Sequence, residues 1–223
     1  MRAAGLPDQG YGTTALPRPR FRGVLHLWSF FGAVIVGVVI VITRSGVAES
    51  LAAAIYAIGV CTMFGVSALF HRVEWGPEKM QSMLQLDKTG IYVMIACSFT
   101  PVVWIGVGGR FGITILIGVW AISLILIAGL WLPWNPPYGV ITGTYIGIGS
   151  IAFLALPAMW SDISPTFVIL ILTGGVLFCG GSFLLALRMP DPWPDTFGYH
   201  EVWHLLVFVG SIIHYVAITS YVL

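Results

Sequence analysis

The chain has 223 residues, of which 58% are hydrophobic and 9% are charged, and its formal net charge is +1. A soluble domain carries about 25% charged residues, so this chain lacks the charge to cover a water-facing surface. We therefore predict an all-α integral membrane protein. The near-zero net charge provides no field suited to nucleic acid, and the three cysteines, all inside apolar segments, indicate no disulfide framework.

Residues 1–22 are polar and rich in Arg, Pro and Gly, which predicts a disordered cytoplasmic tail ahead of a seven-transmembrane-helix domain at residues 23–223. The domain contains seven apolar runs, separated by turn residues, and a helix needs about 20 residues to cross the bilayer core. The predicted spans are Val24–Ile42, Val47–Phe70, Gln81–Ile105, Phe111–Trp131, Gly139–Met159, Thr166–Leu187 and Tyr199–Tyr221.

Basic residues in the loops predict the orientation of the bundle. The tail and the second, fourth and sixth loops hold seven of them, against two on the other side, which predicts a cytoplasmic N-terminus and an external C-terminus. The seven are Arg2, Arg18, Arg20, Arg22, Arg72, Lys79 and Arg188, and the two are Arg44 and Arg110.

Glycines recur on two of the predicted helices. Gly139, Gly143 and Gly147 follow at four-residue spacing in the fifth, and the sixth contains Gly174-Gly175 and Gly180-Gly181. Small residues on one helix face allow close helix packing. We predict packing inside one bundle rather than a dimer interface.

Ionisable groups inside membrane spans are costly and usually functional. His71 ends the second predicted helix, Asp87 lies near the start of the third, and His200 and His204 open the seventh, about 40° apart around the helix. Under the predicted topology all of them lie at cytoplasmic helix ends, with Ser67 one turn from His71. Three imidazoles plus water form a typical catalytic zinc site, so His71, His200 and His204 are the predicted metal ligands.

A zinc-bound water has a pKa of about 7, and Asp87 is the predicted relay for its proton. Ser67 would hydrogen-bond the water, a substrate carbonyl or Asp87. The alternatives are interfacial histidines, a His71 cation at a helix C-terminus and an Asp87 that caps its helix or pairs with Lys88.

Two further histidines are set apart from this cluster. His214 lies roughly 15 Å along the helix from His204 and is expected to be a hydrogen-bonded interior residue or part of a cavity lining. His26 is expected at the membrane interface.

Three motifs can be compared with known families: Ser67-x-x-x-His71, Asp87-x-x-Gly90-Ile91 leading to Phe99-Thr100-Pro101, and His200-x-x-x-His204. Together they resemble the haemolysin III proteins, which group with the adiponectin and progestin receptors. The resemblance covers the second to seventh helices, and it implies seven helices, a cytoplasmic N-terminus and zinc held by the three histidines, with Asp87 and Ser67 beside the zinc-bound water. The related alkaline ceramidases imply hydrolysis of a lipid amide.

The sequence departs from this family at Lys88-Thr89, where bacterial members typically have His-Ser. A lysine beside Asp87 would stabilise its ionised form, so the metal site would survive while proton handling would differ.

The first functional hypothesis is a membrane zinc hydrolase, in a bacterial plasma (inner) membrane, acting on an amide or ester of a membrane lipid. Zinc-bound hydroxide would attack the carbonyl and Asp87 would relay protons. The alternatives are an intramembrane metalloprotease with Glu201 as base, and a non-enzymatic receptor-like or membrane-lytic protein with structural zinc. Ion transport ranks lowest, because the polar residues other than His214 stop at one side of the membrane.

Overall fold

The computed structural model describes residues 19–134 and 136–223, which contain seven helices long and apolar enough to cross a membrane and no β-strand. The predicted class, an all-α seven-helix membrane bundle, is confirmed, whereas its orientation stays a prediction. Most of the predicted tail, residues 1–18, lies outside the described residues. The helices are Val24–Ile42 (α1), Val47–Arg72 (α2), Pro77–Val107 (α3), Gly109–Leu130 (α4), Gly139–Ile163 (α5), Pro165–Leu187 (α6) and Tyr199–Tyr221 (α7).

Two helix boundaries differ from the prediction in ways that affect the polar residues. Helix α2 continues to Arg72, so His71 belongs to its last turn. Helix α3 begins at Pro77, where a proline needs no hydrogen-bond partner for its nitrogen and already has a helical φ angle. Asp87 therefore lies about three turns inside α3 and not near its start.

The C-terminal end of α3, from Thr100 to Val107, forms π-helical turns. Pro101 cannot donate a backbone hydrogen bond, which disfavours regular α-helix here. The hydroxyl of Thr100 donates to the Ala96 carbonyl at 3.0 Å and accepts from the Trp120 indole of α4 at 3.1 Å. The bond from Trp120 connects α4 to α3 at the first residue of the irregular segment.

Close packing of α6 against α7 depends on glycines. A Cβ atom at Gly174 would lie 2.3 Å from the His214 ring, and one at Gly181 would lie 2.6 Å from the Trp203 ring. The predicted role of these two glycines in packing inside the bundle is confirmed.

The same prediction for α5 is wrong. Gly139, Gly143 and Gly147 are exposed, and a Cβ atom at any of them would meet no atom of another described residue within 4 Å. The buried positions on this helix include Ile141 and Ile148. The helix thus turns larger apolar side chains towards the core and its glycine face outward.

Helix packing determines where the polar residues meet. Helix α2 packs against α1 and α3, and α1 also contacts α7. Because successive spans run in opposite directions, the C-terminal end of α2 lies beside the N-terminal ends of α1, α3 and α7. The candidate site forms at this end of the bundle.

Candidate metal centre

Three histidines from two helices meet at the shared end of the bundle. His71 comes from the last turn of α2, and His200 and His204 come from the first two turns of α7. Each is at most 6% exposed. One ring nitrogen from each lies within 4.8 Å of the others, so the three can hold a metal ion.

The spacing of two of these imidazoles is typical of ligands that share one ion. Nε2 of His71 and Nε2 of His200 are 3.2 Å apart. Zinc–nitrogen bonds of about 2.0–2.1 Å in a tetrahedral arrangement place two ligand nitrogens roughly 3.3 Å apart. The described residues therefore fit a zinc ion without any large rearrangement of these two rings.

A fourth histidine, His26 of α1, is part of the same cluster. Its ring stacks on His204 with a centroid distance of 3.9 Å and an interplanar angle of 5°, and it is 3% exposed. The expectation of an interfacial His26 is wrong. An ionisable residue three positions inside an apolar span was the available signal, since such residues usually face the bundle interior.

The hydroxyl of Ser67 connects His26 to the predicted proton relay. Nδ1 of His26 lies 2.9 Å from Ser67 Oγ, and the Ser67 side chain is within interaction range of the half-buried Asp87 carboxyl. Ser67 and Asp87 are thus joined to the histidine cluster through the His26 ring, which stacks on His204.

Two buried ring nitrogens of the cluster have no hydrogen-bond partner among the described residues. They are Nδ1 of His200 and Nε2 of His26. Buried polar atoms normally find a partner in protein or ordered water. Because both atoms belong to rings of the histidine cluster, they are the atoms that a bound polar group or a water would satisfy.

The Glu201 carboxylate is fully engaged by groups other than the histidines. Oε1 accepts from Nε of Arg22 at 2.5 Å, and Oε2 accepts from the Gly198 backbone N–H at 2.9 Å. Both charged side chains are at least nine-tenths buried. This engagement disfavours Glu201 as a free base.

The segment just before α1 covers this end of the bundle. The backbone N–H groups of Arg20 and Phe21 donate to the carbonyls of Asp195 and Thr196, both at 3.1 Å. Gly23 has a left-handed φ of 74°, and a Cβ atom there would lie only 2.7 Å from Cβ of His71. Residues 20–23 therefore cover this end of the bundle, with Gly23 directly against the candidate ligand His71, a contact that the sequence pattern did not reveal.

His214 lies outside the cluster. Its Nε2 is 3.0 Å from the Ile171 carbonyl oxygen, and the ring meets Phe178 edge-on. The expectation of a hydrogen-bonded interior histidine is confirmed.

The fold and the site define a class of protein: a seven-helix integral membrane protein with a buried three-histidine site at one end of the bundle. The sequence profile of the family described as "Haemolysin-III related" matches residues 14–215. The chain belongs to that family.

Several known proteins align with most of this chain. Hemolysin-3 of Bacillus cereus is 26% identical over 183 residues, covering 81% of this chain and 80% of the relative. The monocyte to macrophage differentiation factor of Homo sapiens is 26% identical over 181 residues, covering 78% and 71%. The adiponectin receptor protein of Drosophila melanogaster is 23% identical over 193 residues, covering 77% of this chain but 43% of the relative.

Proposed function

We propose that this protein is a zinc-dependent hydrolase that cleaves an amide or ester bond of a membrane lipid. The observation that carries the proposal is the buried cluster of His71, His200 and His204, with ligand nitrogens within 4.8 Å of one another. Three protein ligands leave a fourth position open, as catalytic zinc sites do, whereas structural sites usually have four. When bound, zinc would supply Lewis acidity and activate water at neutral pH.

The other residues of the site would handle the proton and the substrate. Asp87 would take the proton from the attacking water at a carboxylate oxygen and return it to the leaving group. The Ser67 hydroxyl, within interaction range of Asp87, would fix the direction of that carboxylate. A site among spans in the membrane favours a lipid substrate over a soluble one, and the Bacillus relatives favour a bacterial plasma membrane.

Replacement of Asp87 by Asn tests this proposal. The purified protein would be reconstituted with ceramide and phospholipid substrates, and fatty-acid release would be measured together with bound zinc. We expect D87N to retain zinc and to lose activity by at least about 100-fold, the effect of removing a general acid–base group. Asp162→Asn is the matched control, because Asp162 is exposed at the far end of α5, and it should be fully active.

The rival functions predict other outcomes. Full activity in D87N would remove Asp87 from the chemistry. Zinc binding without hydrolysis of any lipid would favour the receptor-like or membrane-lytic protein with structural zinc. Peptide-bond cleavage that is lost in Glu201→Gln but kept in Arg22→Met, which breaks the same ion pair, would favour the metalloprotease. The bonds from Arg22 and Gly198 occupy both carboxylate oxygens of Glu201 and disfavour that role.

A further inference from the structure

We infer that His26 is a positioning residue that orients two parts of the proposed site, the Ser67 hydroxyl and the His204 ring. The inference rests on the proposed function for the first part and on metal binding alone for the second. His26 makes both contacts at once, at 2.9 Å to Ser67 Oγ and in a parallel stack on His204.

The donors and acceptors available determine the direction of the hydrogen bond between His26 and Ser67. An ionised carboxylate accepts hydrogen bonds and donates none, so the single Ser67 hydrogen is directed to Asp87 when that carboxylate is ready to take a proton. Nδ1 of His26 must then be the donor to Ser67 Oγ. The resulting chain runs from His26 through Ser67 to Asp87 in a single direction and holds the carboxylate in one orientation.

The stack determines what His26 does for His204. A parallel ring with its centroid 3.9 Å away restricts rotation of the His204 imidazole about its Cβ–Cγ bond. The His26 ring is itself confined, because Phe64 meets it edge-on with a centroid distance of 5.1 Å. Groups that orient a ligand side chain typically change metal affinity by about 10–100-fold when they are removed.

Two substitutions separate these roles. His26→Phe keeps an aromatic ring to stack on His204 and removes the bond to Ser67. His26→Asn places an amide nitrogen near the position of Nδ1, which keeps a donor for Ser67, and removes the ring. His214→Asn is the control for loss of a partly buried histidine outside the cluster.

Zinc affinity would be measured by chelator competition. The values of kcat and KM would be measured with the lipid that the wild-type protein hydrolyses. We expect H26F to bind zinc within about threefold of wild type and to lose about tenfold in kcat, the effect of one hydrogen bond, at unchanged KM. We expect H26N to lose at least about tenfold in zinc affinity while keeping more of kcat at saturating zinc. H214N should match wild type in both measurements.

A double-mutant cycle with Ser67→Ala adds a readout that needs no turnover. The melting-temperature losses of H26F and S67A should be strongly non-additive, because both variants remove the same bond. Additive losses would overturn the inference, and so would wild-type zinc affinity in H26N. It is also overturned if H26F and H26N lose zinc affinity and kcat in the same proportion, following only their loss of stability. If the wild-type protein hydrolyses no lipid, the proposed function is refuted. The zinc affinities and the double-mutant cycle need no turnover, so they still test the role of His26.

Discussion

The buried ion pair between Arg22 and Glu201 provides a quantitative prediction. Arg22 precedes α1 and Glu201 lies in the first turn of α7, and their side chains are 9% and 3% exposed. Removing one partner of a buried pair leaves an uncompensated charge and costs about 3–5 kcal/mol. We therefore expect Arg22→Met and Glu201→Gln each to lower the free energy of unfolding by about that amount.

The double variant R22M/E201Q should be more stable than either single variant. The double variant contains no uncompensated charge, and the amide oxygen that E201Q introduces can still accept from the Gly198 N–H. Its free energy of unfolding should therefore fall by only about 1 kcal/mol, the contribution of the one hydrogen bond that is lost. The assay is unfolding in mixed micelles, with Arg110→Met as the control because Arg110 is exposed. Each single variant would contradict a buried ion pair if its free energy of unfolding fell by less than about 1 kcal/mol, as for solvated pairs. Additive decreases in the double variant would contradict the coupling of the two charges.

Three further predictions concern residues 20–23, the bound metal and the orientation of the bundle in the membrane. Gly23→Ala should weaken zinc binding and cost about 1–2 kcal/mol for its left-handed φ, because its Cβ would displace His71. At Gly32 an added Cβ would meet no atom of the described residues within 4 Å, so Gly32→Ala should be neutral or stabilising in the same assays. Added zinc at about 100 times its dissociation constant should raise the wild-type free energy of unfolding by about 2.7 kcal/mol, but not that of His71→Ala. Fluorescent and periplasmic reporters fused to each terminus should place the N-terminus in the cytoplasm; the reverse pattern would contradict the charge argument.

The sequence carried enough information to predict the bundle and the three-histidine cluster. Long apolar runs define spans directly, and α1 and α7 have the predicted ends. The grouping of His71 with His200 and His204 followed from counting spans, because alternating directions bring the end of the second helix to the start of the seventh. No knowledge of side-chain contacts was needed for that step.

The remaining features depend on helix rotation, which the sequence does not specify here. An ionisable His26 inside α1 indicates that it faces the bundle interior, but the rest of α1 is almost uniformly apolar, so no pattern shows that it meets His204. The exposed glycine face of α5 went unpredicted for the same reason. The pairing of Arg22 with Glu201 depends on how residues 20–23 dock on the loop before α7, a contact between residues 179 positions apart.

The metal content of the purified protein shows whether His71, His200 and His204 hold zinc. Zinc per chain would be measured by inductively coupled plasma mass spectrometry on protein purified without chelators, for wild type, His200→Ala and the control His214→Asn. We expect about one zinc per chain in wild type and in H214N, and a loss of zinc in H200A. Wild-type protein without zinc, or zinc retained at the wild-type level in H200A, would contradict this expectation.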